Sequence, residues 1–253
     1  VGMVLPLVMV ATIPTASLAA SIVPAVSEAH ALQNFEGICQ KSLTAIRLCL
    51  LLTFPAVVGL AVLSEPISQL LYGTKAAAAS IAHLAPAICL LGLHQITTGM
   101  LQGMGMTIIP MLNMIASTLL KIYLVWQWTA VPTYGIVGAA WATNINFGLA
   151  AALNLFFLLR YSTFSFPLKT TVKILIAALL MGICAYLSYV EFIKYIAGNT
   201  ISTLLAIVSG SIIYFFVLIF SGELKAAEIA KIPFFGSKLV KFCKNIHLMR
   251  DGK

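Results

Sequence analysis

Apolar positions along the chain gather into seven long runs, at about 2–27, 45–64, 79–101, 107–128, 136–159, 170–190 and 199–221. Each reaches or exceeds the roughly 20 residues an α-helix needs to cross the hydrocarbon core of a bilayer. Strands of a membrane barrel would alternate apolar and polar residues over about ten positions, whereas these runs are continuous. The pattern predicts an all-α, polytopic membrane helix bundle of about seven transmembrane helices over 1–221. The breaks carry turn residues and charge: SEAHALQNFEGICQK (27–41), YGTKAA (72–77), TAVPTYG (129–135), RYSTFSFPLK (160–169) and EFIKYIAGN (191–199). SEPISQLLYG (64–73) reads as a short interfacial turn and helix on the outer side.

The first run carries Pro6, Pro14 and Pro24 among threonines and serines. Proline inside a helix removes a backbone bond and kinks it, and in a membrane the freed carbonyls face protein or a water-filled cavity. Two readings stand side by side: a bent, cavity-lining helix, and a kinked helix that only packs.

Composition agrees with the pattern. Hydrophobic residues make up 61% of the 253 residues and charged residues 9%, against about 25% charged in soluble domains. The net charge of +8 is not a nucleic-acid face, because the basic residues are dispersed. Seven of the 15 fall after residue 224, and most others flank apolar runs. With the C-terminus placed inside, the cytoplasmic segments hold Lys41, Arg47, Arg160, Lys169, Lys173 and the seven tail residues, and the outer side holds Lys75 and Lys194. That bias predicts a multi-pass protein of the bacterial cytoplasmic membrane with its C-terminus cytoplasmic. Residues 222–253 then read as a basic amphipathic cytoplasmic tail lying on the inner leaflet. Val1 falls inside an apolar stretch, with no initiator methionine, n-region or cleavage site, so a fragment lacking its N-terminal part is expected. The five cysteines form no C-x-x-C pair and no metal-ligand spacing with His30, His83, His94 or His247; neither a metal nor a cofactor is expected.

The stretch TGMLQGMG (98–105) has the glycine spacing of a dinucleotide fingerprint. That fingerprint needs a preceding strand and an acidic residue about 20 positions on. Here the preceding run is too long for a strand, and no Asp or Glu lies between Glu65 and Glu191. As membrane chemistry, Gly99 and Gly103 form a G-x-x-x-G face that lets a second helix approach. Gly103 and Gly105 end the helix, and Pro110 enters the first turn of the next, where its missing N–H costs little. A short inside hairpin between antiparallel neighbours is expected.

The run HQITTGMLQGMGMTIIPMLNMIASTLLK (94–121), followed by YGIVGAAWATNI (134–145), resembles flippases of the multidrug/oligosaccharidyl-lipid/polysaccharide exporter superfamily. The likeness is to its stage V sporulation protein B and polysaccharide biosynthesis branch. It rests on Leu101, Gln102, Gly103, Gly105, Pro110, Asn113, Lys121, Gly138, Ala139, Ala140, Ala142 and Thr143, and on IVPAVSEAHAL (22–32) and LSEPISQLLYG (63–73). The resemblance covers essentially the whole chain and matches the C-terminal lobe of a two-lobed, fourteen-helix transporter. It implies a central cavity, alternating access, and a lipid-linked oligosaccharide or peptidoglycan precursor as cargo. It also implies membrane lipids and a missing N-terminal lobe of the same protein as partners. In the lipid II flippase relatives the last two helices, here 170–190 and 199–221, form a groove for the lipid tail.

Lys121 is the one ionisable residue placed well inside a span, where a charge is costly and by default functional. It suits a cargo pyrophosphate as a point charge, or it snorkels to the outer interface about 10 Å away. Gln95, Asn113, Asn144 and Asn146 are polar groups in or near spans, for interhelical hydrogen bonds or cavity lining. His83 and His94 lie near one helix face without a third ligand and read as packing; Trp126, Trp128 and Trp141 suit an outer aromatic belt. Rival functions are a cation-coupled multidrug antiporter, which commonly needs a membrane carboxylate that residues 66–190 lack, and a membrane-embedded transferase built on Glu28 and His30.

Overall fold

In hydrocarbon every backbone N–H and C=O needs a partner within its own segment, and the described residues meet that demand with ten α-helices and no strand. A computed structural model of the chain describes residues 2, 4–131, 134–161, 166–195 and 198–222. The expected tail lies outside the described residues beyond Gly222. The helices are α1 (Leu5–Ala11), α2 (Ile13–Ala31), α3 (Phe35–Val62), α4 (Ser64–Tyr72), α5 (Ala78–Leu84), α6 (Pro86–Gly103), α7 (Ile108–Thr129), α8 (Gly135–Tyr161), α9 (Leu168–Tyr195) and α10 (Asn199–Phe220). Six segments are long and apolar enough to span a membrane, α5 and α6 together counting as one; α1 and α2, bent by 48°, add a seventh. The chain is an all-helical, multi-span membrane protein.

The helices run past the apolar runs, and the polar flanks explain why. The run expected over 45–64 belongs to a helix that starts at Phe35. Asn34 Oδ1 accepts from the Gly37 N–H at 2.8 Å, capping the first turn. Glu36, Gln40 and Lys41 carry the helix on beyond the hydrocarbon, where polar side chains do not oppose helical backbone pairing. Lys41 Nζ donates to the Ala25 carbonyl at 2.8 Å and lies 3.7 Å from a Glu28 oxygen, fastening α3 to the end of α2. The break between them shrinks to Leu32–Asn34, with Gln33 at φ +52°.

Two compact units result, Val1–Pro167 and Leu168–Lys253. In the first, α6 is central and touches α1, α2, α3, α5, α7 and α8. Its contact with α2 is close: a Cβ built on Gly99 would lie 2.7 Å from the Ala19 carbonyl oxygen, and one on Gly103 2.8 Å from the Val23 carbonyl oxygen. At the end of α6 the Gly105 N–H bonds to the Gln102 carbonyl and the Met106 N–H to the Leu101 carbonyl, each at 2.9 Å. That double closure needs a left-handed residue, and Gly105 supplies φ +79°. Pro110 is the third residue of α7, among first-turn positions whose N–H has no helical partner.

Two spans are interrupted. Thr12 separates α1 from α2, its hydroxyl donating to the Met9 carbonyl at 2.9 Å, with Pro14 just beyond. Pro6 opens α1, whereas Pro24 sits inside α2. Pro86 opens α6 directly after Ala85, so the run expected over 79–101 is broken near its start. In the second unit, α9 and α10 pair through small residues; a Cβ on Gly210 would lie 3.0 Å from Ala185 Cβ. The Tyr189 hydroxyl donates to Asn199 Oδ1 at 2.9 Å across the same pair.

Candidate functional site

Helix α6 carries polar residues on a stripe that apolar neighbours do not cover. His94, Thr98 and Gln102 recur at i, i+4 and i+8, with Gln95 beside them, and together they form one wall of a groove of about 270 Å³. The opposite wall is the face of α2 made by Ala16, Ala19, Ala20 and Val23. Small residues on α2 leave the space open beside the close α2–α6 approach at Gly99. The groove therefore offers an imidazole, two primary amides and a hydroxyl, and no fixed charge.

Behind the groove the polar groups are joined. Thr15 Oγ1 on α2 lies 2.7 Å from Gln95 Oε1 and 2.8 Å from the Thr12 carbonyl, tying the bend of the first span to the groove wall. On the far side of α6 the fully buried Asn154 of α8 is a junction. Its Nδ2 lies 3.0 Å from Thr98 Oγ1, 3.3 Å from Thr97 Oγ1 and 3.4 Å from His94 Nδ1. Its Oδ1 accepts from Asn113 Nδ2 of α7 at 2.8 Å. One amide thus links three helices within a low-dielectric interior, where unmet polar groups are costly.

The sequence candidates separate into three places. Gln95 is in the groove wall, and Asn113 reaches it through Asn154. Asn144 points elsewhere: its Nδ2 donates to the His83 carbonyl at 2.7 Å, next to the α5–α6 break. Its Oδ1 has no partner among the described residues. Lys121 is half-buried on α7, eight positions beyond Asn113 and four beyond the buried Ser117, on the face directed at α8. Asn146 Oδ1 accepts from Thr118 at 3.4 Å across that α7–α8 contact. His83 and His94, expected near one helix face, stand on separate helices because Pro86 interrupts the run. Asn154 escaped the sequence reading, since one asparagine in an apolar run does not announce its burial. Its only signal was a third asparagine eight residues after Asn146. Among the described residues no group of three His, Cys, Asp or Glu side chains is placed to hold a metal.

An all-helical membrane unit with a polar, uncharged groove beside a bent span defines a transporter-like lobe. The sequence model of the MatE family matches residues 1–127, and the chain belongs to that family. The chain is 28% identical over 244 residues to the uncharacterized membrane protein YabM of Bacillus subtilis, covering 94% of this chain and 45% of that protein. It is 27% identical over 245 residues to stage V sporulation protein B of the same organism, covering 95% and 46%. It is 23% identical over 206 residues to the lipid II flippase MurJ of that organism, covering 78% and 36%. The solved structure of a lipid II flippase MurJ in an inward closed conformation superposes with a TM-score of 0.68 at 21% identity, over 84% of this chain and 44% of that one. The resemblance drawn from residues 94–145 is borne out at the level of the family. The chain spans less than half the length of these relatives.

Proposed function

We propose that the chain forms the C-terminal lobe of a membrane flippase that moves a lipid-linked oligosaccharide or peptidoglycan precursor by alternating access, without covalent change to the cargo. The observation that carries this reading is the α6 groove, whose neutral donors and acceptors match sugar hydroxyls and whose wall is tied to the bent first span. The kinship with a protein named lipid II flippase supports it. The groove lining contains no carboxylate, which tells against a cation-coupled drug antiporter centred on this face. Lys121 serves as a point charge for the cargo pyrophosphate, and the cytoplasmic side holds the C-terminus. The protein works in the bacterial cytoplasmic membrane, with lipids and a second, N-terminal lobe as partners.

The test is translocation of a fluorescent lipid-linked saccharide in proteoliposomes of the full gene product. Wild type exposes the label to an external quencher with time, and Gln95→Leu slows that exposure at least tenfold. Exposure no faster than in protein-free liposomes would overturn the reading.

A further inference from the structure

Helices α2 and α3 leave a second groove, of about 380 Å³, on the face of α2 that carries Leu18, Ser21 and Ala25 rather than the face turned to the α6 groove. Its chemistry changes in order along its length. The deep end is apolar, between Leu18 of α2 and Leu48 of α3. One turn nearer the α2–α3 loop come the exposed hydroxyls of Ser21 and Thr44, which donate to the Leu18 and Gln40 carbonyls of their own helices at 2.8 and 2.9 Å. Next is the Lys41 ammonium, held at 2.8 Å from the Ala25 carbonyl.

Two carboxylates stand just beyond it. Glu28 continues the α2 stripe of residues 18, 21 and 25, and one of its oxygens lies 3.7 Å from Lys41 Nζ. Glu36 continues the α3 stripe of residues 40, 44 and 48, and its Oε1 accepts from Gln40 Nε2 at 3.3 Å. From the apolar end outward the wall therefore reads hydrocarbon, hydroxyl, cation, anion. Leu48 to Glu36 covers about 18 Å at helical rise. Helix α3 has 28 residues. At about 42 Å such a helix exceeds the roughly 30 Å of bilayer hydrocarbon, so its first turns stand in the headgroup layer.

A zwitterionic phospholipid runs in the complementary order: acyl chain, ester, phosphate, ammonium. Lys41 has three N–H donors; one serves the Ala25 carbonyl and one points to Glu28, which leaves the third for a phosphate oxygen. The Glu28 side chain is 72% exposed, so its attraction to Lys41 is screened and it can take a second cation. An ethanolamine headgroup brings a primary ammonium, with N–H donors, to the level of both carboxylates. A choline headgroup has no N–H to donate, and a glycerol headgroup would set an uncompensated phosphate charge beside two acids.

We propose that the α2–α3 groove binds a phospholipid with an ethanolamine headgroup, its phosphate on Lys41, its ammonium on Glu28 and Glu36, and the start of an acyl chain between Leu18 and Leu48. The bound lipid clasps α3 to the end of the bent first span. The site requires only that the chain lies in a membrane, and it stands or falls independently of the flippase reading.

The experiment releases the full gene product from nanodiscs made of equal parts dioleoyl phosphatidylethanolamine, phosphatidylcholine and phosphatidylglycerol, and counts the retained lipid by native mass spectrometry. Wild type is expected to retain the ethanolamine lipid over each of the others by about tenfold, the worth of one charge-assisted hydrogen bond. In the double variant Glu28→Gln, Glu36→Gln that preference falls to near parity while phospholipid is still retained, because Lys41 keeps its hold on the phosphate. Both carboxylates are exposed, so the variant folds. Ser21→Trp, which fills the groove from an exposed position, removes the retained ethanolamine lipid. Equal retention of the three lipids by wild type, a preference for phosphatidylglycerol, or an ethanolamine preference that survives either variant would overturn the site.

Discussion

Asn113 and Asn154 share a 2.8 Å hydrogen bond between side-chain amides, joining α7 to α8. Helix α7 has few other anchors: Pro110, Asn113 and Ser117 are its buried residues. In lipid, where apolar contact with a neighbouring helix is little better than contact with acyl chains, such a bond matters for register. Asn113→Ala and Asn154→Ala are each expected to lower the thermal midpoint in detergent. A double-mutant cycle on unfolding free energy should give a coupling of about 0.6 kcal/mol, the average for interhelical bonds in membranes, and no more than about 1.7 kcal/mol.

The close approach of α2 to α6 depends on the absence of side chains at two positions. Gly99→Val and Gly103→Val would drive carbon atoms into backbone carbonyls of α2. Each is expected to cost about 1–3 kcal/mol, as overpacking does in cores, measured by the same denaturation. Gly148→Ala is the control. Its added carbon meets only Leu90 methyls, the nearer at 3.5 Å, and the variant should be no less stable than wild type.

Gln33 holds the α2–α3 turn with φ +52°, a conformation that costs a residue bearing a Cβ about 1–2 kcal/mol. Gln33→Gly should raise stability by up to about 1 kcal/mol, the gain being reduced by the extra freedom of glycine in the unfolded chain. A fall in the thermal midpoint would refute this account of the turn.

Asn144 caps the His83 carbonyl beside a break created by Pro86. Removing the amide in Asn144→Ala leaves that carbonyl without its side-chain donor at a cost of about 1 kcal/mol. Hydrogen exchange should quicken at the amides of residues 87–89 and stay unchanged in α9 and α10.

The Lys/Arg bias predicts a sidedness that labelling can check. Single cysteines at Thr74 and at Gln33 in a cysteine-free background should react oppositely with an impermeant maleimide on intact cells: Thr74 labelled directly, Gln33 only after permeabilisation. The reverse pattern would invert the orientation.

Much of the fold was legible because lipid imposes a coarse rule: a run of about 20 apolar residues is a helix. Each of the seven runs overlaps a helical segment among the described residues, and SEPISQLLYG holds the short helix α4. What failed was the reading of ends and interruptions. Residues 27–41 read as a polar break, yet α3 already includes Phe35–Lys41, because outside the hydrocarbon helix ends are set by caps such as Asn34. Pro86 hides inside an apolar run because proline at a helix start and proline at a break look alike in one dimension. The site was less legible still. Gln95 and Asn113 stood out as polar residues in spans, but His94 looked like packing and Asn154 like any asparagine. Their meeting depends on the angle at which α8 crosses α6, which no local pattern encodes.

The central claim is that the α6 groove receives the saccharide part of a lipid-linked cargo. Its most direct test is photo-crosslinking of a diazirine-bearing lipid-linked saccharide to the full gene product in nanodiscs, followed by peptide mapping. The account predicts labelling on the α2 and α6 walls, at residues such as Ala20, Gln95, Thr98 and Gln102, with competition by unlabelled cargo. Competed labelling confined to other helices, with these residues untouched, would contradict it.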